Sequence, residues 1–337
     1  MKAAALTEIA PVEQKPVRLL EMPDPQPAED ELLLEVSVCG VCHTELDEIE
    51  GRLPVSRLPR ILGHQVVGRV IAKGPRVGSF QIGDRVGITW LWKSCRTCSF
   101  CTRGLENLCE KALWTGLDAD GGYAERMTVP AAFAHLLPPL LDDLHTAPLL
   151  CAGVIGYRAL RLCQIEDGQI VGLFGFGASA HLTIQVLRVL YPRCRVFAFS
   201  RDREHQQQAL RLGADWAGHT EDNPPQKMDK VIDFTPVGRA LPLILRNLQK
   251  GGKLVINAIR KIDPIPPMDY AELLWSERTI QSTANVTYAD GSEFLRIAAQ
   301  IGLKAEVTAF PLEQANEALL AVKHSRITGA AALVLNR

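Results

Sequence analysis

Gln169-Ile-Val-Gly-Leu-Phe-Gly175-Phe-Gly177-Ala-Ser-Ala180 is an apolar run that breaks at a glycine and passes into a helical pattern. The run reads as a buried strand, and the pattern over 178–190 as a helix. Within the turn, Gly175-x-Gly177-x-x-Ala180 has the steric logic of a dinucleotide pyrophosphate site. Gly175 permits the tight turn, Gly177 lets the backbone approach the phosphates, Ala180 packs helix on strand, and the helix N-terminus attracts negative charge. Phe176 and Ala178 lie between these positions and join Gly175 and Gly177 as cofactor-contact candidates. A lone glycine-rich turn has the same composition, so the flanking chain decides.

Downstream the alternation continues. Strands are expected at 195–200, 230–234 and 252–258, with helices at 203–212 and 238–249 between them. Apolar strands alternating with helices specify a parallel sheet covered on both faces. The fold class is therefore α/β, with a doubly wound Rossmann domain over 151–279. The strand after the fingerprint ends in Ser200-Arg201-Asp202-Arg203. Ser200 cannot give the carboxylate–ribose bond of an NAD site, and Arg201 or Arg203 suits a 2′-phosphate, which favours NADP(H) over NAD(H). The alternative is that both arginines are solvated and Asp202 turns inward to the ribose.

Upstream, residues 1–150 read as strands and turns: Glu31–Cys39, Val66–Ala72 and the turn Gly83-Asp84-Arg85-Val86, with glycines at 63, 68, 74, 78, 83 and 87. This is the pattern of a small, strongly curved β domain. After 280, helices at 291–301 and 313–323 flank a strand ending at Pro311, and Ala330–Leu335 is a closing strand. Periodicity leaves open which domain this tail completes.

Out of the β domain rises Cys95-Arg-Thr-Cys98-Ser-Phe-Cys101-Thr-Arg-Gly-Leu-Glu-Asn-Leu-Cys109, four thiols at the spacing of a structural zinc lobe over 92–112. Such a lobe has no open coordination position. Donors for a second, incomplete set lie in three stretches, Cys39-Gly-Val-Cys42-His43, Gly63-His64 and Cys151-Ala-Gly, since two thiols and an imidazole with a vacant fourth position form a known catalytic zinc design. Singly, each of these is as readily a buried core residue.

Together these residues resemble the zinc-dependent medium-chain alcohol dehydrogenase family, in its bacterial branch grouped with cinnamyl-alcohol-type dehydrogenases. The resemblance rests on Cys42-His43-Thr44, Gly63-His64, the four-cysteine lobe, Gly83-Asp84-Arg85-Val86, Gly121-Gly122-Tyr123-Ala124-Glu125, Cys151-Ala-Gly and the glycine fingerprint, in the family's order. It implies a GroES-like catalytic domain over 1–150 and 280–337. It also implies two Zn²⁺ per chain: a catalytic ion on Cys42, His64 and Cys151, and a structural ion on Cys95, Cys98, Cys101 and Cys109. The implied reaction is hydride exchange between a medium-chain or aromatic primary alcohol or aldehyde and a nicotinamide cofactor. Thr44 would bond the substrate oxygen and pass its proton on, and His43 would support the cofactor. Leu53, Trp90 and Trp114 would line an apolar pocket or lie beside it; the alternative is that both tryptophans are core packing, the favoured reading for Trp114. Cys39, Cys163 and Cys194 are spare thiols expected to be buried.

The chain departs from the family's pattern at four places. Glu45 stands where Asp is usual and is expected to orient His64 with one more methylene; Gln65 replaces a Glu and removes a negative charge near the metal. Asp47 replaces the His that ends the proton relay, a poorer base at neutral pH. Ala330 stands where a phosphate-binding Arg is common. These departures keep a second reading in view, an NAD-dependent secondary-alcohol or polyol dehydrogenase.

The 337 residues suffice for two cores, since single cores stop growing at roughly 250–300 residues. With 37 basic and 38 acidic residues the net charge is −1, so no field favours nucleic acid or an anionic membrane, and a small neutral substrate fits better. A zinc ribbon reading nucleic acid through Lys93, Arg96, Arg103 and Lys111 lacks a wider basic face and stacking aromatics. Nine cysteines without an apolar leader suggest a reducing, cytoplasmic setting, and the family implies a homodimer or homotetramer.

Overall fold

The computed structural model describes residues 1–327 and 329–335. Two compact units emerge: Met1–Val154 with Asn285–Arg337, and Ile155–Ala284.

The second unit is built on six parallel strands in the order Trp216–Gly218, Arg195–Phe199, Ile170–Phe174, Met228–Asp233, Leu248–Ile256 and Thr279–Ser282. The strand order reverses between Ile170–Phe174 and Met228–Asp233, the arrangement of a doubly wound Rossmann sheet. All five residues of Ile170–Phe174 are buried, which accounts for its unbroken apolar run. Helix Ala178–Leu190 follows it at the bounds read from sequence. Two edge strands were not expected. Trp216–Gly218 is three residues long, and Thr279–Ser282 is only partly buried and carries three polar side chains. This last strand pairs with Leu248–Ile256, so the unit runs on to Ala284 instead of ending at 279. The strand expected at 252 begins at Leu248, which pairs with Met228 before the register shifts.

The first unit carries a seven-stranded, mainly antiparallel sheet. Glu31–Val41 is central, paired with Gln65–Lys73 on one side and Ala330–Val334 on the other, while Arg126–Pro130 also pairs with its first half. Ala330–Val334 in turn runs parallel to Val307–Pro311. The tail left open by periodicity therefore completes the first unit. Leu32, Leu34, Val36, Val66, Val70 and Ile88 are fully buried in its core, each such side chain contributing about 1.5–3 kcal/mol. Among the described residues no helix is long and apolar enough to cross a membrane.

Candidate active site and metal centres

Strand register creates the first site. Gly40 stands opposite Gln65 in the antiparallel pair, so Cys42, just past one strand, and His64, just before the other, leave the sheet at the same end. Gly63 makes the turn into His64 at φ +95°, and a Cβ there would lie 2.4 Å from the Tyr123 ring, so only glycine fits. Cys151 arrives from the 3-10 helix Ala147–Leu150; the absence of a side chain at Gly87 admits Leu150, whose methyl would stand 2.7 Å from a Cβ there. Ligand atoms of Cys42, His64 and Cys151 all lie within 4.8 Å of one another, with Cys42 Sγ 3.8 Å from His64 Nε2. Two sulfurs and an imidazole nitrogen so spaced fit three corners of a zinc tetrahedron.

Cys42 is also the N-cap of helix His43–Ile49, its sulfur accepting the Thr44 N–H at 3.3 Å. Glu45, in the first turn, accepts the Cys42 N–H at 2.9 Å through one carboxylate oxygen and bonds His64 Nδ1 at 2.6 Å through the other. That bond directs Nε2 toward Cys42. Burial opposes charge on His64, but Glu45 and then Cys42 outweigh it and hold the imidazole well above its usual range. The Cys42 thiol is pushed up, first by its hydrogen bond with Cys151 and then by burial. A divalent cation among the three groups reverses that direction for a thiol.

The second cluster is the four-cysteine lobe, whose sulfurs also lie within 4.8 Å of one another. Cys95 and Cys101 are 3.9 Å apart and Cys98 and Cys101 3.6 Å, and all nine thiols of the chain are free. These spacings are far from a disulfide and close to the edge of about 3.8 Å that four sulfurs adopt around zinc at ~2.3 Å. Backbone N–H groups point at the sulfurs, from Cys98 to Cys95 at 3.3 Å and from Lys111 to Cys109 at 3.4 Å. The Thr97 and Cys98 amides draw the Cys95 thiol down to about 5. Burial pushes Cys101 up to about 11.

In the second unit Gly175 follows the strand Ile170–Phe174 at φ +86°, and Gly177 is the N-cap of helix Ala178–Leu190 with no side-chain cap. A Cβ at Gly177 would meet nothing within 4 Å, so the space over the helix N-terminus is open, as a phosphate requires. Phe176 turns inward and is buried. Ser200 is buried with its hydroxyl accepting the Asp202 N–H at 3.2 Å, whereas Arg201 and Arg203 are exposed. Asp202 caps the next helix through the Glu204 N–H at 2.7 Å.

Residues 28–139 match the Alcohol dehydrogenase GroES-like domain family. The chain is 44% identical over 340 residues to a probable alcohol dehydrogenase AdhA of Mycobacterium tuberculosis, covering 99% of this chain and 97% of that one. It belongs to the medium-chain zinc alcohol dehydrogenase family. The chain is 28% identical over 305 residues to a probable cinnamyl alcohol dehydrogenase 1 of Nicotiana tabacum, covering 86% of this chain and 84% of that one. The crystal structure of the alcohol dehydrogenase from Aeropyrum pernix superimposes with a TM-score of 0.87 at 26% identity, over 99% of this chain and 100% of that one. The chain is thus an oxidoreductase of a family that works with zinc and NAD(P).

Around the three-ligand cluster of this dehydrogenase, Trp90 approaches most directly, its ring centroid 6.0 Å from that of His64; Trp114 packs behind it at 5.1 Å. Leu53 is partly buried, its N–H on the Asp47 carbonyl at 2.9 Å. Thr44 is half-buried and His43 exposed in the same helix turn. Gln65 is buried and lies flat over Gly40, where a Cβ would be 2.7 Å from its Oε1. Asp47, expected at the surface end of a relay, is buried and held by Arg52 Nε at 2.5 Å.

Glu48 also belongs to this neighbourhood of the helix, though its sequence context does not mark it. Its carboxyl is fully buried on helix His43–Ile49, and neither oxygen has a hydrogen-bond partner among the described residues. Burial, and then the charge of Glu45, push it well above the usual carboxylate range. The only sequence signal was an acidic residue every few positions in Glu45-Leu-Asp47-Glu48-Ile-Glu50, which reads as a solvated face. Cys39, Cys163 and Cys194 are buried, as expected.

Proposed function

We propose that the enzyme exchanges hydride between medium-chain or aromatic primary alcohols and aldehydes and NADP(H), using a catalytic zinc on Cys42, His64 and Cys151 and a structural zinc on Cys95, Cys98, Cys101 and Cys109. The observation that carries this reading is the convergence of Cys42, His64 and Cys151, two sulfurs and an imidazole, the donor types of a catalytic zinc design whose fourth position is open. Zinc held there would supply Lewis acidity toward a substrate oxygen. The nicotinamide would take or give the hydride.

The chain's own residues do the positioning. Glu45 fixes the His64 ring so that Nε2, not Nδ1, faces the ligand cluster. Thr44, beside Cys42, is the hydroxyl proposed to hold the alcohol proton, and His43 the side chain that supports the cofactor. Asp47 is buried and paired with Arg52, so the proton route is proposed to end in water. Trp90, backed by Trp114, gives an aromatic wall beside His64, and Leu53 extends the apolar lining. That wall favours an apolar or aromatic substrate over a polyol, whose hydroxyls need polar partners.

NADP(H) is supported by two features of the second unit. Asp202 is committed to capping a helix, which leaves it poorly placed as a ribose acceptor, and Arg201 and Arg203 are exposed at the strand end. The fingerprint positions Gly175, Phe176, Gly177 and Ala178 are proposed to cradle the pyrophosphate. Assembly as a homodimer or homotetramer belongs to the same reading, and sedimentation velocity distinguishes them. The deciding experiment is steady-state kinetics on a panel of alcohols and aldehydes, each with NAD(H) and NADP(H), alongside metal analysis. Turnover confined to polyols, or a strong preference for NADH, would overturn the substrate or cofactor assignment respectively.

A further inference from the structure

In the second unit an ion pair lies buried at the point where the strand order reverses. Asp233 ends the strand Met228–Asp233 and stands in register with Phe174, which ends the neighbouring strand and leads into Gly175. Its carboxylate is fully buried and accepts the Thr235 hydroxyl at 2.7 Å and the Thr235 N–H at 2.9 Å. Lys261, from the segment after the next strand, reaches back to the same carboxylate at 2.6 Å and to the Thr235 carbonyl at 2.6 Å. Gly175 touches this group directly: a Cβ there would lie 2.8 Å from the Thr235 methyl.

The placement is firmly built. Ile262 N–H bonds the Pro236 carbonyl at 2.7 Å, and the Asp263 carboxylate accepts the Gly238 and Arg239 N–H groups at 2.8 and 3.1 Å. The segment carrying Lys261 is therefore fastened along the one that follows Asp233. The lysine side chain retains 13% exposure while its carboxylate partner has none. An ammonium has three protons; two are spent on Asp233 and Thr235, and one remains to donate. In open α/β sheets ligands lie outside the carboxyl ends of the strands at the switch point, which is where this ammonium stands.

A desolvated cation beside the fingerprint turn is difficult to explain by stability alone, because a buried ion pair seldom stabilises more than an apolar pair of the same volume. We propose that Lys261 is a cofactor-contacting residue, donating a charge-assisted hydrogen bond to the pyrophosphate of the dinucleotide bound over Gly175. Asp233 is then a positioning residue that holds the ammonium at the switch point. The inference rests on the nicotinamide-cofactor reading and adds a residue to it. It also supplies a cation in a chain whose Ala330 stands where a phosphate-binding arginine is common in the family.

The test is equilibrium binding to the full-length enzyme, followed by protein fluorescence, with two probes. One is the dinucleotide, NADH or NADPH; the other is adenosine 2′-monophosphate, or adenosine for an NAD site, which lacks the pyrophosphate. Lys261→Met is expected to weaken the dinucleotide about tenfold and to leave the adenosine probe within twofold. If the single variant fails to fold with Asp233 left unpaired, Asp233→Asn/Lys261→Met removes both charges and is expected to show the same split. Unchanged dinucleotide binding in a folded variant would overturn the proposal, and so would equal weakening of both probes, which signals a displaced loop. Failure of the wild-type enzyme to bind either dinucleotide would instead overturn the cofactor reading, and this inference with it.

Discussion

Glu45 bonds Nδ1 of His64 at 2.6 Å while its second oxygen holds the Cys42 amide at 2.9 Å, so one carboxylate ties together two of the three candidate catalytic ligands. Glu45→Gln keeps the shape but loses the charge-assisted bond, and metal affinity at this site is expected to fall about 10–100-fold. Dialysis against graded chelator, with metal counted per chain, checks it; the metal of the four-cysteine lobe should stay.

The two clusters are predicted to fail differently. Cys42→Ala should abolish turnover and lower metal content from about two ions to about one, with the fold retained. Cys98→Ser should lower the melting temperature first, because a structural site contributes its binding energy to folding. Activity in the Cys42 variant would refute its assignment as a ligand.

At the cofactor end, Arg201→Leu should raise KM for NADPH about tenfold and leave that for NADH within twofold, since only a 2′-phosphate gains from the guanidinium. Equal effects on both cofactors would point to Arg201 as a solvated residue of the strand end.

His135 gives a pH prediction away from the active site. Its ring is buried, stacked on Tyr288 at 4.5 Å and 3.1 Å from the Ser292 hydroxyl, and burial pulls its pKa down from 6.5 to about 4. As pH falls below 6.5 the unfolded imidazole takes a proton that the folded one refuses until about 4. Stability is therefore full above 6.5 and is lost across that window, by on the order of 3 kcal/mol. His135→Gln should flatten this part of the curve in denaturant titrations between pH 7 and 4.

Glu48 has the opposite sign. Its pKa is raised in the folded protein, so its contribution is favourable at acid pH and is lost as pH rises. Glu48→Gln should accordingly raise the melting temperature more at pH 8 than at pH 5, and a uniform shift would show that the carboxyl is already ionised.

The dinucleotide unit was readable because its signals are local. The strand, the glycine turn and the helix Ala178–Leu190 follow one another in sequence, and each is set by its own apolar period. The helix His43–Ile49 was not anticipated: it has seven residues, only Leu46 and Ile49 as an apolar face, and a cysteine in place of the usual hydroxyl or carboxylate cap. Cys42, His64 and Cys151 were visible as residue types in the family's spacing. The approach of Trp90 to His64 and the burial of Glu48 arise only when distant segments pack, and the ion pair of Asp47 with Arg52 forms in a turn that no periodicity marks. An edge strand such as Thr279–Ser282 escapes for the same reason, since its neighbour and not its composition makes it a strand.

Ala330–Val334 lies against Val38–Val41, the residues that lead straight into Cys42. During synthesis the strand Glu31–Val41 leaves the ribosome some three hundred residues before that neighbour exists, and it waits with one edge open. The nucleotide unit, encoded in one continuous block between them, has all its strands in hand first. Closure of the catalytic sheet is thus a late event in the life of the chain. The loop that presents Cys42 gains the support of this strand only once it has been made, and until then one edge of Glu31–Val41 lacks its native partner.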